Sequence, residues 1–450
     1  YDPKDAEDIH IESGDGKIAK NVEGNQKRNI LPLFETIIKH TDPYPNKEDM
    51  PLQLQISALG YDDYIGRLGI GRITQGTIRE GQTVGVARSD DDIRQDKINQ
   101  IFVYKGLKKT PVKEAKCGDI VVVSGISDIS IGETVTVMDD PQVMEMINIE
   151  EPTLSMNFMV NSSPFAGRAG KYVTTRNIKE RLEKELEVNV GLKVEETQST
   201  DSFKVSGRGE LHLSILLENM RREGYELAVS KPEVIMKNGE NGRLLEPVEE
   251  VVILVPDEYS GSVISKLNLR KGLMNYMNSE NGFTKLEYLV PTRGLLGYRS
   301  EFINDTRGEG SMVRRFDSFE EYKGEIPQRN NGVAIAQEQG VATPYALSNI
   351  SERVKLFIEP GTEVYEGMVI GMNSRADDMV VNPTKAKKAT NMRAAGNDDA
   401  VKLPPSKRFT LEEALEFIND DELVEIVPDD IRIRKKYLKE LDRRRNRNNG

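Results

Sequence analysis

Several stretches of the sequence hold residue types that catalysis or nucleotide chemistry would use, and each has a plainer structural role open to it. Ala166 to Thr175 reads AGRAGKYVTT, which superficially follows a phosphate-cradling loop. The pattern GxxxxGK[ST] needs glycine where Phe165 stands and a hydroxyl where Tyr172 stands, so a magnesium ligand and the correct amide spacing are both missing. Asn46-Lys47-Glu48-Asp49 has the spacing of a guanine-reading element, and Asp305-Thr306-Arg307-Gly308 that of a magnesium element. They stand far apart, in the wrong order, with no phosphate loop to serve. His212 lies in a helical run, SGRGELHLSILLENM, among leucines, where a packed structural histidine is expected. Acidic pairs such as Asp62-Asp63, Asp377-Asp378 and Asp420-Asp421 read as solvated loops, because nothing sets two carboxyls across a cleft as acid and base. No catalytic residue and no bound cofactor or metal are expected within this chain.

Binding is the chemistry that remains. Lys385, Lys387, Lys388, Asn391, Arg393 and Lys402 fall in a long polar stretch, PTKAKKATNMRAAGNDDAVKLPP. Loops of that length are uncommon unless they are functional or disordered. Cations neutralise phosphates, and an amide or guanidinium can bond a base edge or a ribose hydroxyl. On composition alone, a solvated surface loop fits equally well. A second basic run follows, with nine cations between Arg432 and Arg447 and, first among them, Arg432, Arg434, Lys435 and Lys436. The net charge of the 450 residues is -12, so any affinity for nucleic acid must be local. Screening limits each charge to a reach of about 10 Å in ordinary salt.

These residues need elements to carry them. A helical face (Ile30, Leu33, Phe34, Ile37, Ile38) precedes a proline-rich linker, so 1–50 is read as a remnant of a longer protein whose body begins near 51. Across 51–145, short β-branched runs alternate with glycine turns, which predicts a closed antiparallel β-barrel. Across 146–240 the order is strand, helix (Ile178, Leu182, Leu186), two strands, helix (Leu211, Ile215, Leu216, Met220) and strand, a ferredoxin-like α+β unit. The plan recurs across 241–328, opening on Glu246-Pro247 as its predecessor opens on Glu151-Pro152. From 329 to 450 strands return, with a capping box at Thr410 and Glu413.

Composition sets the outer limits. The chain is 37% hydrophobic and 30% charged, which suits several folded domains. No apolar run reaches the ~20 residues of a membrane helix, and no membrane partner is expected. The single cysteine, Cys117, leaves no disulfide within the chain and fits a reducing cytoplasm. The first residue is Tyr1, not Met, which suggests a chain that begins inside a longer product.

SGRGELHLSILLENMRREGYELAVSKP (Ser206 to Pro232) resembles the third domain of BipA/TypA factors, and GLLGYRSEF resembles their fifth-domain segment. KKATNMRAAGNDDAVKLPP, TLEEALEFINDDELVEIVP and IRIRKKYL resemble the C-terminal domain peculiar to that family, and DYIGRLGIGRITQGTIREGQTV is similar to the second domain of translational GTPases. The resemblance implies a β-barrel, two α+β domains akin to domains III and V of elongation factor G, and a mainly-β C-terminal domain. It further implies a non-catalytic, C-terminal part of a translational GTPase. GTP and magnesium would bind in the parent's absent domain. The implied partner is the bacterial-type ribosome, through large-subunit rRNA and the acceptor end of A-site tRNA, with a role in stress adaptation and large-subunit assembly and a monomer off the ribosome. Carried over by position, the contact loop is Lys385 to Lys402, and Arg432, Arg434, Lys435 and Lys436 form a second patch. A protein-interaction scaffold without an RNA role, or a hydrolase with an unrecognised site, are the alternatives.

Overall fold

The structure is a computed structural model and describes residues 31–42, 44–147, 149, 151–239, 242–326, 329, 331–386 and 403–447. The helix Leu31–His40 forms as its periodicity predicts, and Phe34, Ile37 and Ile38 on it are exposed. Ile30 lies outside the described residues.

The first body is an antiparallel sheet of eight strands. Edge to edge they are Asp92–Lys97, Thr83–Ser89, Thr134–Thr136, Gln53–Asp62, Gly66–Gln75, Ile120–Ser124, Ile101–Lys105 and Lys108–Val112. Leu54, Ile56, Ile73, Val84, Val86, Val121, Val123 and Val135 fill its concave side, helped by Ile78 and Ala115 from a separate two-stranded ribbon. The expected closed barrel is corrected here: among the described residues no pairing joins the two outer strands. Their sequences explain the opening. Asp92–Lys97 reads DIRQDK and Lys108–Val112 reads KKTPV, so charge on one edge and charge with a proline on the other disfavour a further ladder.

Two α/β units follow with one element order, strand-helix-strand-strand-helix-strand. In the first, the strands lie in the spatial order Lys193–Glu196, Ser202–Gly207, Leu154–Met159, Leu227–Val229. In the second the order is Leu273–Glu280, Phe283–Pro291, Leu244–Pro256, Ser311–Glu321. Helix Thr175–Leu186 starts at a capping box of Thr174 with Asn177, which satisfies otherwise orphaned amides, and buries Ile178 and Leu182. Helix Glu210–Glu223 ends at Gly224, whose φ of 95° suits a residue without a Cβ. That helix buries Leu213, Leu216, Leu217 and Met220, whereas Leu211 and Ile215 are exposed. The sequence-based face was therefore set off by part of a turn, because leucines and isoleucines lie on both sides of the helix.

The C-terminal region contributes two things. A four-stranded sheet orders Val354–Leu356, Val369–Asn373, Val333–Ala336 and Met379–Val381. A hairpin of Glu422–Val427 and Asp430–Lys435, turning at Pro428-Asp429, adds itself to Leu227–Val229 and so extends the first unit's sheet. The first unit and the C-terminal region share one core, in which Phe158, Leu217 and Val229 meet Val369, Leu415 and Ile426.

Candidate nucleic-acid interface in the C-terminal region

The basic loop is set on a firm stem. On its N-terminal side the Thr343 hydroxyl donates to the Lys385 carbonyl at 2.7 Å, and the Thr343 amide donates to Pro383 at 2.9 Å. Thr384 donates from its hydroxyl to Glu338 at 2.7 Å. On the C-terminal side Leu403 packs against the four-stranded sheet's core, and the Lys407 amide donates to Leu356 at 2.8 Å. Phe409 then packs edge-on against Phe357, with ring centres 4.7 Å apart, and at a tilt against Phe417, 5.1 Å away. Both ends of the stretch 387–402 thus leave the same sheet. Lys385 is exposed at the point of departure. Lys387, Lys388, Asn391, Arg393 and Lys402 lie outside the described residues.

The second basic run takes a different place from the one expected. Arg434 and Lys435 are each only 2% exposed. Arg434 and Arg432 both face the buried Glu425 at 3.1 Å. The Lys435 ammonium sits 2.8 Å from Asp378, 2.8 Å from Asp421 and 3.0 Å from the buried Glu422, which also receives Arg329 at 2.9 Å. Burial by itself would lower the Lys435 pKa, but Glu422, Asp378 and Asp421 together hold it above its ordinary value. Tyr365 lies beside this group, its phenol pushed up by burial and by the Glu425 charge. The expectation of a four-residue basic surface is corrected: of Arg432, Arg434, Lys435 and Lys436, only Lys436 is exposed. Charge that reads as a phosphate footprint in sequence is spent on internal carboxylates, because a buried cation without a partner costs several kcal/mol.

A sequence signal for this pairing existed. The hairpin register sets Glu425 against Arg432 and Glu422 against Lys435 across a two-residue turn, so ELVEIV and DIRIRK are complementary strands. Arg408 was passed over. It is exposed beside the loop's C-terminal stem, paired with Glu359 at 3.1 Å.

The nucleotide-like motifs are absorbed by local structure. The amides of Gly167 and Gly170 donate to the carboxylate of buried Glu226 at 2.9 Å and 3.0 Å, which occupies the donors a phosphate would use. Asn46 accepts from the Glu48 amide, and Glu48 pairs with Lys116 at 3.0 Å on the two-stranded ribbon beside the first sheet. Asp305 to Gly308 form the closing turn of helix Tyr298–Asp305, with Asp305 bound to Lys266 at 2.7 Å. His212 accepts from the Arg208 amide through Nδ1, leaving Nε2–H for Asn189, and burial lowers its pKa. Cys117 donates to the Thr74 carbonyl at 3.1 Å. No group of three or more potential metal ligands occurs among the described residues, and no helix there is long and apolar enough to cross a membrane.

Comparison with known protein families matches three of these regions. The TypA/BipA C-terminal domain matches residues 331–440, the elongation factor G C-terminus 243–330, and elongation factor Tu domain 2 residues 66–136. The large ribosomal subunit assembly factor BipA of Bacillus subtilis is 48% identical over 93% of this chain and 68% of its own length. The chain belongs to the BipA/TypA family of translational GTPases. The BipA proteins of Haemophilus influenzae, 49% identical over 92% of the chain and 68% of their own, and of Synechocystis, 47% over 96% and 72%, are similarly related. The stem, the loop and the whole of the buried hairpin fall inside the TypA/BipA C-terminal match, whereas the sheet that the hairpin extends lies N-terminal to it.

Proposed function

We propose that this chain is the ribosome-binding, non-catalytic part of a BipA-type factor, acting in large-subunit assembly and stress adaptation in the cytoplasm. GTP and magnesium belong to a domain of the parent outside these residues. In this reading the divisions are 1–50, 51–145, 146–240, 241–328 and 329–450, and the two α/β units are ferredoxin-like, as their shared strand order favours. The chain binds as a monomer. Lys385, Lys387, Lys388, Asn391, Arg393 and Lys402 contact large-subunit rRNA and the acceptor end of A-site tRNA. Lys436 is the residue retained from the second patch.

One observation carries the loop's role. The stem at Thr343, Lys385 and Lys407 is tied on both sides to a single rigid sheet, while the neighbouring cations Arg434 and Lys435 are neutralised internally. Arg434 and Lys435 are thereby withdrawn from any phosphate-binding surface, while Lys385 at the loop's root stays exposed. A loop anchored at both ends loses less conformational freedom on binding than a free tail, so more of its phosphate contact energy appears as affinity.

The test is co-sedimentation with ribosomes at rising salt, for the unchanged chain and for K387A/K388A/R393A. Removing about three phosphate contacts is expected to weaken binding at least tenfold near physiological salt and to flatten its salt dependence. Equal binding at every salt dismisses the loop's role. Association that persists after nuclease treatment favours a protein-only scaffold.

A further inference from the structure

The burial of Arg434 and Lys435 ends at the next residue. Lys436, Tyr437 and Lys439 are exposed, and the chain then enters helix Glu440–Arg447, where Arg444 and Arg445 are exposed too. A basic chain end of this composition is commonly a frayed tail. Here it is pinned. The Lys435 amide donates to the Gly367 carbonyl at 2.9 Å, and Leu438 packs against the core of the four-stranded sheet. Gly367, with φ of 91°, admits Leu438 so closely that a Cβ there would stand 2.7 Å from the Leu438 Cα. The Arg443 guanidinium reaches back to the carbonyls of Tyr437 and Leu438, and the Glu440 amide donates to Glu366 at 3.4 Å.

From Lys436 to Asn446 the sequence holds five cations and two acids. Both acids, Glu440 and Asp442, stand in the first turn of the helix, where they complement the positive end of its dipole. Glu440 also holds Arg444. Among the described residues Lys436, Lys439 and Arg445 belong to no ion pair. Exposed cations elsewhere are matched, as Arg408 is by Glu359 and Arg315 by Glu250. Between the two lysines, Tyr437 presents a ring that is 42% exposed, a surface on which a base can stack. A membrane is the poorer fit. In a helix of eight residues whose one apolar side chain is Leu441, there is no apolar face to bury in lipid.

We propose that Lys436, Tyr437, Lys439 and Arg445 form an RNA-backbone contact separate from the loop at 387–402. The proposal rests on the ribosome-binding reading above and adds a second, independently anchored surface to it. The basic run is divided by function: Arg432, Arg434 and Lys435 are spent on Glu425 and Glu422, while the residues after them keep their charge for phosphates. Because the segment is already ordered against the four-stranded sheet, it loses less freedom on binding than a loose tail would.

The experiment is co-sedimentation of the chain with purified bacterial large ribosomal subunits, between about 50 and 200 mM salt. K436A/K439A/R445A removes about three phosphate contacts, so affinity should fall at least tenfold near physiological salt and the salt dependence should flatten. K436R/K439R/R445K keeps the charge and should bind like the parent, which separates lost charge from lost fold. Ultraviolet cross-linking of the parent complex should leave an RNA adduct on the peptide that carries Tyr437. Parent-like affinity and salt dependence in the alanine variant overturn the proposal, as does a Tyr437 peptide without RNA. If K387A/K388A/R393A loses binding and K436A/K439A/R445A does not, the loop reading stands and this one falls. If neither loses binding, both readings fall. Binding to phosphatidylserine vesicles that the alanine variant loses, with its ribosome binding intact, would assign the segment to a membrane instead.

Discussion

The two α/β units share an element order and a strand order, yet their sheets end in opposite ways. In the first, the outer strand Leu227–Val229 is fully buried, because the C-terminal hairpin pairs with it and brings its own ion cluster into the core. In the second, the corresponding strand Ser311–Glu321 is only half covered, and Leu273–Glu280 at the other edge is exposed throughout. Equivalent topology therefore gives two surfaces. One is sealed into the body that holds the basic loop; the other is left open. The difference comes from a hairpin encoded nearly two hundred residues downstream of the strand it covers, so it is a tertiary event and not a property of the unit.

The largest perturbation of this contrast should come from Glu425→Ala. It leaves Arg432 and Arg434 facing a carboxylate that is gone, and breaking a buried pair from one side costs about 3–5 kcal/mol. Chemical denaturation should register the loss. Hydrogen exchange should quicken in Leu227–Val229 and Glu422–Lys435 while Leu244–Pro256 keeps its protection; equal quickening in both units would mean that they unfold together.

A middle-sized effect is expected at the junction between the units. The Glu210 carboxyl has its folded pKa, about 7, above its ordinary value of 4.5. The sign follows: stability is greatest below the ordinary value and falls as pH rises through 7, because the folded state must then ionise a half-buried acid. Glu210→Gln should therefore stabilise the protein by about 2 kcal/mol at pH 8 and hardly at all at pH 4.5. Thermal melts at both values check this, and a gain that is larger at low pH would contradict it.

The smallest effect belongs to the open sheet. Arg315 pairs with Glu250 there, but its side chain is 75% exposed. Arg315→Ala should cost less than about 1 kcal/mol, within the range of solvent-screened pairs. A loss comparable to that of Glu425→Ala would show that this face is covered in solution.

Much of this was legible beforehand. The alternation in Gln53–Asp62, the helix periods at Ile178 and Leu182, and the capping box of Thr410 with Glu413 are local patterns, and local hydrogen bonding and burial obey them. The C-terminal motifs pointed to the family for the same reason. What could not be read was sign and partnership. By charge density Arg432, Arg434 and Lys435 look like Lys385 and its neighbours; only the hairpin register against ELVEIV sets carboxylates opposite Arg432 and Lys435. The outer strands of the first sheet did carry a sign that the ladder would stay open, in their charges and in Pro111, but regular strand spacing points to closure more loudly.

Sequence alone determined which segments become strands and helices, where helices begin, and which family the chain resembles, because these depend on side-chain period and caps within a few residues. Only the tertiary structure decided that one basic run turns onto internal carboxylates and that Glu210 faces a cleft shared by three parts of the chain. It also decided which of two matching units would be sealed. Those outcomes depend on pairings between distant residues, and on the cost of removing a charge from water, which is felt only once the chain has closed around it.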